Sequence, residues 1–137
     1  MDFIDRPVEG VLWQPLKKKH DPRGWLCELF RQDEIDPEYF PAMAYISMTL
    51  PGVARGPHEH RDQADYFCFL GPSNFKLFMW DNREGSPTFR TRQAVVVGID
   101  NPQAVIESRP VGESTPRKLT TLYRSLMLSS ESAFLPK

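Results

Sequence analysis

Apolar residues fall in short runs along this chain, some alternating with polar ones and some continuous, and proline, glycine or aspartate–asparagine pairs close nearly every run. The runs are rich in aromatic and β-branched residues, which suit a pleated, half-buried surface, so the pattern predicts strands and not long helices. Seven are expected, at Gly10–Leu16, Trp25–Phe30, Ala44–Leu50, Asp65–Leu70, Phe75–Trp80, Phe89–Val97 and Gln103–Ile106. Pro51-Gly52, Gly71-Pro72 and Asp81-Asn82 supply turns between them. Short strands at this spacing predict an all-β sandwich or jelly-roll barrel. One helical or irregular turn is expected over Asp33–Tyr39, with Asp33 or Asp36 as cap and Pro37 at the first position. Asp65–Leu70 is apolar on both faces, as a central strand under a second sheet would be. Lys17-Lys18-Lys19-His20 reads as a solvated hairpin tip and is given no role.

Composition narrows the classes. At 137 residues the length prior predicts a single domain, residues 1–137, with room for a real core. A formal net charge of −1 gives no electrostatic case for nucleic acid or an anionic membrane surface, so a phosphate-bearing ligand has to be held locally. No apolar run approaches the ~20 residues of a membrane span. Asp2, Asp5 and Glu9 stand where a signal peptide would be basic and then apolar, and the expected location is cytoplasmic. Cys27 and Cys68 lie alone in apolar, strand-like stretches without CxxC spacing, which predicts buried, reduced thiols.

The chemistry gathers at Gly52-Val53-Ala54-Arg55-Gly56-Pro57-His58-Glu59-His60. In an extended segment side chains two apart share a face, so His58 and His60 point one way and Glu59 the other. Two convergent imidazoles suit metal binding or proton handling. The metal reading lacks a third ligand, because the remaining histidine, His20, is far upstream. Arg55 adds a planar fork that matches a diphosphate, and Arg23 offers a second charge-assisted contact.

From Gly52 the spacing runs Gly, five residues, His58, one residue, His60, four residues, Asp65, five residues, Gly71, which resembles the first motif of the cupin superfamily with Asp65 in place of its usual Glu. A narrower resemblance covers about residues 8–106: the chain is similar to the dTDP-4-dehydrorhamnose 3,5-epimerase family of jelly-roll enzymes. Asp21-Pro22-Arg23-Gly24-Trp25 with Glu28 resembles its Asp-x-Arg-Gly-aromatic block and the acid after it, and Ser47-Met48-Thr49 its Ser-x-Ser. Gly52 to His58 is similar to its Gly-Val-x-Arg-Gly-x-His, Gln63 falls on its glutamine, and Asp81-Asn82-Arg83 with Ser86-Pro87-Thr88 resembles its Asp-x-Arg…Ser-Pro-Thr. The resemblance implies a cupin-type double-stranded β-helix, His58 as general base, Arg55 as a ligand-binding cation, and a nucleotide sugar as ligand. Arg23, Glu28, Gln63 and His60 join them as substrate-binding candidates.

These residue types fit that chemistry in their own right. Epimerising a carbon beside a ketone needs a base, a group that stabilises the enolate and an acid on the other face. A neutral imidazole, with its reference pKa of ~6.5, is a suitable proton acceptor, and Glu28 or Asp65 is placed by this reading to orient it. Trp25, Tyr66 or Phe67 would face the sugar or base. The expected enzyme is a sugar-nucleotide epimerase or isomerase acting on a 4-keto-6-deoxyhexose nucleotide, with no metal and no other cofactor. Two alternatives stand beside it: a non-catalytic sugar-nucleotide or carbohydrate-binding cupin, and a metal cupin using His58 and His60.

The resemblance stops after Ile106. Pro110-Val111-Gly112-Glu113-Ser114-Thr115 has threonine where the family's second motif has histidine, and residues 108–137 are enriched in Ser and Thr. Either the tail has diverged, with Lys118–Leu128 still forming a closing strand, or residues 107–137 reflect an altered reading frame. A homodimer that shares edge strands is expected, since this hides the unpaired edges of an open sheet.

Overall fold

The computed structural model describes residues 4–59, 64–107 and 119–126. Its strands are β1 (Ile4–Asp5), β2 (Val11–Pro15), β3 (Lys18–Asp21), β4 (Gly24–Cys27), β5 (Ala54–Glu59), β6 (Tyr66–Phe69), β7 (Asn74–Asp81), β8 (Thr91–Gly98), β9 (Gln103–Glu107) and β10 (Leu119–Ser125). A single 3-10 turn at Pro37–Tyr39 is capped by Asp36, whose side chain accepts the Glu38 backbone N–H. A five-stranded sheet runs in the order β1-β8-β7-β10-β5, a three-stranded sheet in the order β2-β9-β6, and β3 and β4 form a separate hairpin. All pairings are antiparallel except β1 with β8.

Alternation along β7 explains how the two larger sheets meet. Phe75, Leu77, Met79 and Asp81 turn inward and are buried, while Lys76, Phe78 and Trp80 turn away, as a strand with one core-facing side requires. Register carries that inner face along the sheet, because residues directly opposite each other project to the same side. From the smaller sheet, Phe67, Phe69 and Val105 meet Leu77, Met79, Val95 and Val97, with Val8, Val11 and Trp13 completing the core. The other face of the small sheet is covered by the segment after β4: Tyr66 donates to the Leu29 carbonyl at 2.9 Å, and Phe30 packs edge-on against Tyr66 and Phe40. The result is an all-β jelly-roll sandwich. Among the described residues no helix is long and apolar enough to cross a membrane.

Where the strands depart from the sequence pattern, the cause is local. The lysine run is not a hairpin tip but β3 itself, and the tip lies at Pro22-Arg23. Lys18 lays its ammonium 4.5 Å over the Trp25 ring and donates to the Leu70 carbonyl at 2.8 Å, so its charge and stem both have partners. The central position in the small sheet belongs to β9, buried on both faces, and not to the edge strand β6. Ala44–Leu50 forms no strand, none of the described strands pairs with it, and Ile46 there is 100% exposed. The expected closing strand is present as β10. The remainder of the tail, Thr115 included, lies outside the described residues.

Candidate functional site

Among the described residues β5 is an edge strand, paired only with β10. Three positions separate Arg55 from His58, which in a regular strand would send them to opposite faces. Their partners on β10, however, are Tyr123 and Thr121, only two positions apart. β5 therefore carries one extra residue between them, a bulge at Gly56-Pro57, where Gly56 takes φ 108° and the Gly56–Pro57 peptide is cis. Only glycine adopts that backbone easily. The bulge turns Arg55 and His58 to one face. That face is the inner one, since Thr121 stands opposite Met79 and Tyr123 opposite Leu77, two side chains with no exposure at all.

His58 is half-buried at this inner face and Arg55 is exposed. The Arg55 guanidinium donates from Nε to Thr49 Oγ1 at 2.8 Å and from Nη2 to the Met48 carbonyl at 2.6 Å. The segment Ser47-Met48-Thr49 thus holds the arginine in place without neutralising it. A guanidinium fixed by neutral acceptors keeps its full charge for an anion.

The remaining candidates are distributed differently. Arg23 sits at the tip of the β3–β4 hairpin and is ion-paired with Asp21 at 2.7 Å; Glu28 pairs with Lys19 at 3.4 Å and Arg31 at 3.5 Å. Among the described residues, the bonds of both run within the hairpin and the segment after it. His60 and Gln63 lie outside the described residues. Among the described residues no three His, Cys, Asp or Glu side chains cluster in a way that would hold a metal ion. Phe67 packs on the core, Tyr66 is engaged with Leu29, and Trp25 lies half-exposed beneath Lys18. Cys27 and Cys68 are free thiols but only half-buried, not fully enclosed as expected, and desolvation pushes the Cys68 thiol up to about 11.

The Asp81-Asn82-Arg83…Ser86-Pro87-Thr88 block closes a turn. Asp81 accepts from Arg83 Nε at 2.7 Å, Arg83 Nη2 at 2.8 Å, Ser86 Oγ at 2.7 Å and Thr88 Oγ1 at 2.5 Å, while Arg83 also donates to the Glu9 carbonyl at 2.6 Å. Burial pushes the Asp81 carboxyl up, but the bonds from Arg83, Thr88 and Ser86 outweigh it and hold the group below the ordinary range.

One carboxyl close to the site escapes the sequence pattern. Glu107 ends β9, one position beyond the expected strand, and shares the inward face of Val105. It accepts a hydrogen bond from the hydroxyl of Thr121, the residue opposite His58. Burial pushes this carboxyl up to about 7; the Thr121 bond and the charge of Arg83 oppose that rise, and the charge of Asp65 adds to it. Period-two alternation extended one residue past Ile106 was the available signal.

No family model matches the chain. It is 40% identical over 100 residues to the probable low-salt glycan biosynthesis epimerase Agl13 of Haloferax volcanii, covering 72% of this chain and 63% of that protein. It is 32% identical over 126 residues to the spore coat polysaccharide biosynthesis protein SpsL of Bacillus subtilis, covering 88% of this chain and 81% of that protein. Among solved structures, a dTDP sugar isomerase from Desulfovibrio desulfuricans G20 superposes with a TM-score of 0.71 at 21% identity, over 86% of this chain and 69% of that one, a likeness of fold.

Proposed function

The chain belongs to the dTDP-4-dehydrorhamnose 3,5-epimerase family of cupin jelly rolls, and on that footing we propose that it epimerises a 4-keto-6-deoxyhexose nucleotide by metal-independent proton abstraction next to the ketone. The observation that carries this reading is the bulge in β5, which sets a half-buried imidazole and an un-neutralised guanidinium on one inward face. In the proposed reaction, Arg55 binds the diphosphate and so delivers the sugar's acidic C–H to His58. The imidazole takes that proton, the electron pair moves onto the ketone oxygen as an enolate, and a proton from solvent added to that carbon on the opposite face inverts the centre, His58 returning its own proton to solvent. A nucleotide sugar as substrate is consistent with a cytoplasmic enzyme.

Deuteron exchange from solvent into candidate keto-sugar nucleotides tests the assignment. His58→Ala is expected to slow exchange by ~10²–10⁴, the usual cost of losing a general base. Unchanged exchange refutes the role of His58. A wild type that binds the nucleotide sugar in calorimetry yet exchanges no proton is instead a binding protein, the outcome favoured by the departure from the second family motif at Thr115.

The working unit in this proposal is a homodimer. Met43, Tyr45, Ile46, Met48 and Leu50 form one exposed apolar stretch outside the strands, and a second copy of the chain would supply the cover it lacks. Light scattering is expected to give twice the chain mass for the wild type and the monomer mass for Ile46→Glu. A monomeric wild type rules the dimer out.

A further inference from the structure

Resting on His58 as the base, we propose that Glu107, acting through the Thr121 hydroxyl, is the positioning residue for the His58 imidazole and selects which of its nitrogens carries the proton. The three residues come from three strands and two sheets. Thr121 stands on β10 directly across from His58 on β5, one strand spacing away and on the same inner face. From the opposite sheet Glu107 reaches into that face and accepts the Thr121 hydroxyl proton. A threonine hydroxyl has one proton and two lone pairs. With its proton committed to Glu107, the Thr121 oxygen has only acceptor capacity left to offer the neighbouring strand, where the imidazole N–H of His58 would be the matching donor. A carboxylate at the end of such a chain holds the N–H on the near nitrogen and leaves the far one as a proton acceptor.

Thr121 is 1% exposed, which makes an idle hydroxyl there expensive. Glu107 is half-buried, and it has not been given the full set of donors that Asp81 enjoys. The charged groups acting on it are Asp65, which opposes its ionisation, and Arg83, which favours it while paired with Asp81. The carboxyl can therefore carry or shed its charge near neutrality.

Nitrogen-15 spectra of the histidine rings at about pH 8 read the tautomer directly and need no turnover. The expected result is one dominant tautomer for ring 58 in the wild type and in Thr121→Ser. In Thr121→Val and Glu107→Leu the ring moves toward the mixture seen for an exposed imidazole. His20, on the remote hairpin, is the internal control. Glu107→Gln keeps the side-chain shape and covers the case in which Glu107→Leu does not fold: besides the limb set by His58, the wild type's deuteron-exchange profile is expected to carry a second limb near pH 7 set by Glu107, and Glu107→Gln is expected to lose that second limb. An unchanged tautomer in Thr121→Val, or an exchange profile in Glu107→Gln that retains the second limb, overturns the proposal. Because the ring spectra are independent of catalysis, an inactive protein would count against the epimerase reading and leave the positioning claim to be decided by the spectra.

Discussion

Two arginines that look alike in the sequence, each in a family-like block, end in opposite circumstances. Arg83 is buried, clamped to Asp81 and spent on closing a turn. Arg55 is exposed on an edge strand and held by a hydroxyl and a carbonyl, neither of which cancels its charge. The carboxyls repeat the contrast. Asp81 is saturated with donors and held low, whereas Glu107 has a single hydroxyl donor and is pushed up to about 7. Saturated charge builds the scaffold; charge left partly uncompensated, close to an open edge, is what a proton-transfer site requires.

The contrast breaks most visibly in stability when the scaffold pair is cut. Arg83→Met leaves Asp81 buried without its cation, and breaking one side of a buried pair costs about 3–5 kcal/mol. The Asp81 carboxyl is held low in the fold, so its stabilisation is present above its unfolded value near 3.9 and is lost as pH falls through the lowered native one. In urea titrations at neutral pH, Arg83→Met is expected to lose most of the protein's stability. A loss under about 1 kcal/mol would mean that the turn does not depend on the pair.

Glu107 gives the opposite sign. Its folded value of about 7 lies above the 4.5 of a free side chain, so the unfolded chain ionises first. Stability is fully present below about 4.5 and drains as pH rises through 7, by up to about 3 kcal/mol at most. Glu107→Gln cannot ionise, and its stability should stay flat over that window, so that near pH 8 the variant is the more stable protein. Such a gain paired with lost exchange activity is the signature of a site that trades stability for function. Parallel pH dependences for the two proteins would place Glu107 in the scaffold class with Asp81.

Strands were legible in the sequence wherever an apolar alternation also had a neighbour to pair with. β7 was expected at Phe75–Trp80 and runs Asn74–Asp81, and β8 and β9 lie close to their expected bounds. Ala44–Leu50 carries the same kind of pattern but finds no edge among the described strands, and pattern alone does not reveal the partner. β1 is two residues long, too short to signal itself, and β3 was hidden by its lysines. At the candidate site, residue type and spacing single out His58 and Arg55 but not their shared face: period two predicts opposite faces, and only the register against β10 exposes the bulge. Glu107 was missed because the expected strand stopped at Ile106, and its tie to Thr121 is a contact between sheets that no local pattern encodes. Arg23 and Glu28 were picked out by their block, yet in this chain they bond within the hairpin and the segment after it.

The smallest effect on stability, and the sharpest on ligand binding, is expected at Arg55. Its two hydrogen bonds lie at the surface, so Arg55→Lys should change stability by no more than about 0.5 kcal/mol. Lysine keeps the charge but loses the fork, and a compact ammonium cannot satisfy two phosphate oxygens and Thr49 at once. A charge-assisted bond contributes about 1.5–3 kcal/mol, so the affinity for a nucleoside diphosphate measured by calorimetry should fall roughly tenfold or more. Arg83→Lys, in contrast, should leave the affinity of the folded protein unchanged and lower its stability, because the clamp on Asp81 is bidentate. If Arg55→Lys instead cost stability on the scale of Arg83→Met and spared the affinity, the two arginines would belong to one class, and the edge strand would be only another part of the scaffold.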